Sequence, residues 1–288
     1  ATRAMLNIVV FLPHAVRPQA HLFYDAATLI SGIQEGLGDL RANLIVSLSD
    51  STDALTTKKL GDIDGCIFAF ASPEGRVRDF LVDRHLPTVL INRADPEFGF
   101  VTNDADAGIS ALRAEIARRR PGEPVCFIAV EDVGPVARYR TAALAANGDT
   151  PGKPQPPATP GSGPSGPQRS AMPAVRWFPT VSQITTTAVG ELYEGGCRVF
   201  MCVNDYVAIA VRDRLGQLGL SVPGDAGVTG YDAAPVRGLF SHGLTSVDLC
   251  VARLGREAAE RLGSMIVDRS SERVCRYVTG ELLSGETL

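Results

Sequence analysis

The chain has 288 residues, room for one large domain or two of ordinary size. With 45% hydrophobic and 21% charged residues it has a globular composition, and no run is long and apolar enough to span a bilayer. A net charge of −4, with Lys and Arg scattered, excludes a chain that grips a phosphate backbone by itself.

In chain order, short apolar runs alternate with helical periods. "NIVVFL" (7–12), "NLIVSL" (43–48), "GCIFAF" (65–70), "PTVLIN" (87–92) and "PVCFIAV" (124–130) read as strands buried on both faces. "RVFMCV" (198–203), "GVTGY" (227–231) and "LTSVDL" (244–249) continue the series. The intervening "DADAGISALRAEIARR" places Ile109, Leu112 and Ile116 on one helical face, and its basic end, residues 111–120, reads as a solvated helix terminus. "RYRTAALAAN", "VSQITTTAVGELYE" and "DYVAIAVRDRLGQLG" behave alike. The alternation predicts an α/β architecture of doubly wound parallel sheets. Two sheets are expected, because one open sheet would be overfilled by this many elements.

Residues 148–174, rich in Pro, Gly and Ser, break the rhythm and read as a surface insertion. Gly161, Gly163 and Gly166 match G-x-G-x-x-G there, but Pro160, Pro164 and Pro167 deny the match its strand and helix, so no dinucleotide site follows. Cys66, Cys126, Cys197, Cys202, Cys250 and Cys275 include no CxxC and no zinc spacing with a His, which reads as buried free thiols and no metal. The N-terminus "ATRAMLNIVVFLP" is not a secretory leader, and the cytoplasm is expected.

Catalytic signatures are missing: no G-x-S-x-G, no H-E-x-x-H and no Walker-type loop. His14 and His21, after the first strand, are open to a cleft or a solvent-facing role. Polar residues gather instead at strand ends. Asn92 ends "TVLIN", Asn103 and Asp104 end "GFVTN", Asn204 and Asp205 end "FMCVN", and Asp232 follows "GVTGY". Each alone could be a helix N-cap; together they describe a polar-lined cleft where open α/β sheets bind ligands. Asn204 is assigned to that cleft and Asp205 to capping the helix behind it.

"VPGDAGVTGYD" (222–232), preceded by "VFMCVNDYVAIAVRDRLGQLGLS" and followed by "LTSVDLCVARLGREAAERL", resembles the effector-binding region of the LacI/GalR (lactose-repressor) family. Weaker likeness extends through "DIDGCIFAF", "LPTVLINR", "VTNDADAG" and "RYRTAALAANG". The resemblance implies a periplasmic-binding-protein-like fold of two lobes joined by three crossovers, expected at 1–130 plus 250–270 and at 131–249 plus 271–288. It implies a sugar-like effector held between the lobes and binding without cofactor or enzymatic turnover. A homodimer is also implied, with operator DNA bound through a helix-turn-helix headpiece that these residues lack. Family pocket positions fall at Tyr24 or Asp25, Phe70, Asn92, Arg140, Phe178, Asn204 and Asp232. Their aromatic faces suit C–H surfaces, and their polar groups suit hydroxyls.

The sequence departs from the family at Ala233, at Ala143-Leu144 and in the loop "PHAVRPQAHLFY", which leaves the identity of the effector open. On the leading reading, the effector shifts the relative orientation of the lobes and so the spacing of the DNA-binding heads. The alternative is an exported solute-binding protein of a sugar transporter, which shares the fold. An enzyme is the third class, with no nucleophile–base pair to support it.

Overall fold

The structure, a computed structural model, describes residues 5–13, 24–49, 62–145, 173–235, 238, 243–269 and 272–288. The elements begin with β1 (Leu6–Pro13), α1 (Ala26–Leu37), β2 (Ala42–Ser49), β3 (Gly65–Ala69), α2 (Gly75–Asp83), β4 (Thr88–Ile91) and β5 (Gly99–Asn103). They continue with α3 (Ala105–Arg119), β6 (Val125–Val130), α4 (Pro135–Ala145), β7 (Ala174–Phe178), α5 (Thr186–Glu194), β8 (Val199–Cys202), α6 (Asp205–Gln217) and β9 (Gly227–Thr229). Last come β10 (Ser246–Asp248), α7 (Val251–Val267), β11 (Cys275–Val278) and β12 (Glu281–Leu283). The chain forms two compact units, Ala1–Asp104 with Asp248–Glu281 and Ala105–Val247 with Leu282–Leu288, so it passes between them three times.

The first unit holds a sheet in the order β11-β5-β4-β3-β1-β2, and every pair is parallel. Its central strands bury both faces, as the unbroken run Ile8 to Leu12 requires. On one face Val9, Phe11, Phe68, Leu90 and Phe100 pack with Val77 and Leu81 of α2. On the other, α7 lies against β3, β4 and β5, and α1 packs on α7. That helix pair is close: a Cβ on Gly32 would lie 2.1 Å from the Ala252 carbonyl oxygen. The second unit has the parallel order β7-β6-β8-β9, with Phe127 opposite Met201 at its centre. β10 and β12 form a separate two-stranded ladder.

In both sheets the winding reverses beside the first strand. In the first unit β2 lies on one side of β1 and β3 on the other; in the second β7 and β8 flank β6. Crevices at the carboxyl ends of strands beside such reversals are where this architecture holds ligands.

The sequence-based boundaries need correction. The division falls after Asp104 rather than residue 130, because β6 pairs with β7 and β8. Residues 271–281 belong with the first unit, because β11 pairs with β5. The apolar-run reading also misses β7 and β11. Both are edge strands with a single buried residue each, Phe178 and Val278, so neither needs the apolar signature of a central strand.

The basic end of α3 is only partly the solvated terminus expected. Arg118 pairs with Glu115 at 2.7 Å, whereas Arg119 bonds the Leu288 carbonyl at 2.8 Å and Arg120 the Pro223 carbonyl at 2.6 Å. The Pro-rich residues 148–172 and His14, His21 and His242 lie outside the described residues.

Candidate functional site

The carboxyl ends of β6, β8 and β9 carry a buried charged cluster. Arg140, in the middle of α4, is 2% exposed and donates from Nη1 to the Val203 carbonyl at 2.6 Å and from Nη2 to Asp232 Oδ1. Its guanidinium lies over the Tyr231 ring, 3.8 Å from the centroid. Asp232 Oδ1 is thereby engaged while the residue stays 8% exposed. Removing water from this pair strengthens its attraction and raises the cost of losing either partner.

The capping role expected of Asp205 falls to Asn204. The side-chain oxygen of Asn204 caps α6 by accepting from Val207 N at 2.9 Å. Its amide nitrogen, Nδ2, is buried without a hydrogen-bond partner among the described residues, and so is Thr229 Oγ1. Asp205 does not cap. Its Oδ1 accepts from the Ser246 hydroxyl at 2.6 Å and its Oδ2 from Ala234 N at 2.8 Å. Burial pushes the Asp205 carboxyl up to about 8; the Ser246 bond opposes that shift and the Asp232 charge adds to it.

The local sequence explains this geometry. In "VPGDAGVTGYD", Asp225 closes the turn before β9 by accepting from Ser221 N at 2.8 Å and Ser221 Oγ at 2.6 Å, so it is structural. Gly230 is required by close approach, since a Cβ there would lie 2.1 Å from Asp205 Oδ1. Beyond β9, Asp232 has φ 96° and Ala233 φ 46°, conformations that cost side chains energy and turn the chain at the site.

The first unit gathers a different set. Tyr24 stacks on Phe70 with ring centroids 4.2 Å apart and planes 23° from parallel. Phe70 follows β3 with φ 58°, and burial pushes the Tyr24 phenol up to about 12. Asn92, 8% exposed after β4, has φ 55° and accepts from the Thr102 hydroxyl at 3.2 Å, so it caps nothing.

Among the expected positions, Arg140, Asn204 and Asp232 meet at the end of the second sheet. Phe178 ends the edge strand β7, paired with Val130 and buried, with β6 between it and β8. Tyr24, Phe70 and Asn92 collect at the end of the first sheet. Asp25 is put to another use: exposed, it caps α1 by accepting from Ala27 N and Thr28 N, and the Thr28 bonds hold its carboxyl below the ordinary range. Ser246 was not anticipated, although the "LTSV" segment contained it. Among the described residues no group of three His, Cys, Asp or Glu is placed to hold a metal, and no helix is long and apolar enough to cross a membrane.

A parallel α/β pair of units with polar strand ends has the architecture of the periplasmic-binding-protein type. Residues 125–288 match the periplasmic binding protein-like domain. The chain belongs to that family.

One similar protein is the HTH-type transcriptional repressor PurR of Vibrio vulnificus. It is 34% identical over 87 residues, which are 30% of this chain and 26% of that protein. The chain thus spans about a quarter of the length of the curated relatives it matches. A LacI family transcriptional regulator from Enterococcus faecium with bound ribose has a TM-score of 0.70 at 19% identity, covering 98% of each chain. The lac repressor dimer bound to operator and the anti-inducer ONPF has a TM-score of 0.72 at 16% identity, covering 99% of this chain and 95% of that one.

Proposed function

We propose that the chain is the effector-sensing and dimerisation region of a LacI-type transcriptional regulator, acting in the cytoplasm by binding rather than by catalysis. Operator DNA would be contacted through a helix-turn-helix segment outside these residues. The effector is a small, sugar-like polyhydroxyl molecule. Asp232 and Asn204 bond its hydroxyls, and Arg140 holds Asp232 in place. Phe178, on the same sheet, supplies an aromatic contact, and Tyr24, Phe70 and Asn92 make the strand ends of the first unit a second candidate surface.

The observation that carries this reading is the buried Arg140–Asp232 pair beside an amide, Asn204 Nδ2, that lacks a partner among the described residues. A buried donor without a partner is costly, and a ligand hydroxyl would relieve it. The ribose of the Enterococcus faecium structure supports the ligand class, and the names of the repressor relatives favour a regulator over a transport protein. Regulation requires the effector to bind one state of the full protein better than the other; a hundredfold preference is about 2.7 kcal/mol.

A thermal-shift screen of monosaccharides, sugar phosphates and purines tests the reading. At a hundred times its Kd, a true effector stabilises the chain by about 2.7 kcal/mol. Calorimetry with the best binder should then show Asp232→Asn losing about 2–3 kcal/mol of affinity. Unchanged affinity would reject the anchor, and a screen in which only purines bind would reject the sugar class.

A further inference from the structure

Cys126 and Cys197 take no part in the effector cluster. Cys126 lies near the start of β6 and Cys197 just before β8, so both occupy the amino ends of their strands, whereas Asn204 and Asp232 follow the carboxyl ends of β8 and β9. Arg198 N and Val199 N both donate to the Pro124 carbonyl, at 2.9 and 3.1 Å, which draws residue 197 against the foot of β6. There the two side chains are hydrogen-bonded to each other, and Cys197 Sγ lies 3.4 Å from the Val199 carbonyl oxygen.

The two thiols differ. The hydrogen bond from Cys197 holds the Cys126 thiol below its ordinary value, while the same bond together with burial pushes Cys197 up. Cys126 is also the more exposed, at 8% against 3%. The greater exposure of Cys126 and the hydrogen bond it receives favour it as the nucleophile of the pair. Other buried thiols are inert by comparison: burial pushes Cys66 up to about 12 and Cys202 well up as well.

We infer that Cys126 and Cys197 form a reversible intrachain disulfide, a hydroperoxide-sensitive modification site at the foot of the second sheet. The Cys126 thiolate attacks one peroxide oxygen; the O–O bond breaks, and the departing hydroxide takes up a proton to become water. The Cys197 sulfur then attacks the sulfenic sulfur of Cys126. An S–S bond forms, the S–O bond breaks, and hydroxide leaves with the Cys197 proton as a second water. Both sulfurs are oxidised and both peroxide oxygens reduced, so two thiols and one hydrogen peroxide give one disulfide and two waters. A thiol reductant reverses the step by exchange. The bond joins β6 to the turn between α5 and β8. Because it closes a long loop, the oxidised form unfolds at a higher temperature. This inference is independent of which effector the chain binds.

The test treats the full chain with hydrogen peroxide, denatures it in excess alkylating agent, digests it without reductant and identifies peptides by mass. A Cys126–Cys197 linked pair that disappears on reduction with dithiothreitol, together with a raised melting midpoint of the oxidised chain, is expected. In Cys197→Ser, the Cys126 sulfenic acid should be trapped by dimedone; in Cys126→Ser, no adduct should form at Cys197. Exposed Cys275 serves as the internal control. The inference falls if peroxide that oxidises Cys275 leaves both buried thiols alkylatable in the unmodified chain. It also falls if the linked pair joins other cysteines, or if dimedone labels Cys197 rather than Cys126.

Discussion

The two units solve the same problem with different chemistry. At the strand ends of the second, Arg140 is ion-paired with Asp232 and Ser246 donates to Asp205, and all four are at least nine-tenths buried. At the strand ends of the first, the groups are neutral: a Tyr24–Phe70 stack and an Asn92–Thr102 hydrogen bond. Buried charges hold a fixed geometry because breaking them is expensive, whereas stacked rings tolerate small displacements at little cost. The second unit therefore presents a fixed polar geometry at its strand ends, and the first an aromatic one that adjusts more cheaply.

Four changes would sharpen or break that contrast. Arg140→Ala has the largest expected effect, about 3–5 kcal/mol of stability, because it strands the buried Asp232 carboxylate. Trp177, the only tryptophan of the chain, lies on β7 and reports the second unit in urea unfolding. A loss under about 1 kcal/mol would mean that the pair is no more valuable than an exposed one.

Gly32→Ala comes next. It forces α1 away from the Ala252 carbonyl in the first unit and should cost about 1–3 kcal/mol by far-UV circular dichroism. Salt separates neither variant strongly: that packing is apolar, and a buried pair such as Arg140–Asp232 is screened far less than an exposed one, so both losses should change little between low and high salt.

Third is a pH dependence set by Asp205. Its folded-state carboxyl is raised from 3.8 to about 8, so between those values the folded chain keeps a proton that the unfolded chain has released. This group therefore makes stability fall as pH rises through that window, by at most about 1.4 kcal/mol per pH unit, and contributes no slope above it. In Asp205→Asn the slope between pH 5 and 8 should flatten, whatever the absolute stability of the variant. An unchanged slope would move its origin to another group.

Tyr24→Leu, the smallest, removes the ring stack and should cost about 0.5–1.5 kcal/mol in stability, without the pH slope changing.

Much of the fold was legible in the sequence because central parallel strands must be apolar on both faces, as "NIVVFL" and "GCIFAF" are. β7 and β11 were not legible, since an edge strand needs no such run. Of the candidate site, the placement was legible: Asn92, Asn204 and Asp232 do stand at strand ends. Their individual duties were not. Asn-Asp at the end of β8 offers two carbonyl-type oxygens one residue apart, and either could cap α6. The choice was made by Gly230 and Ser246, residues distant in sequence, which open the space and supply the donor that draw Asp205 inward. Asp25 illustrates the converse, a carboxylate absorbed by its own helix start through contacts no more than three residues away.

By itself, then, the sequence determined the alternation of strands and helices, the doubly wound sheets and the edge on which polar groups collect, because these follow from side-chain periodicity along one strand or helix. Only the tertiary structure decided which carboxylate is buried, which amide keeps a donor unpaired and which two thiols meet. Those outcomes depend on approach distances between segments far apart along the chain, where a single Cβ or hydroxyl settles which group fits.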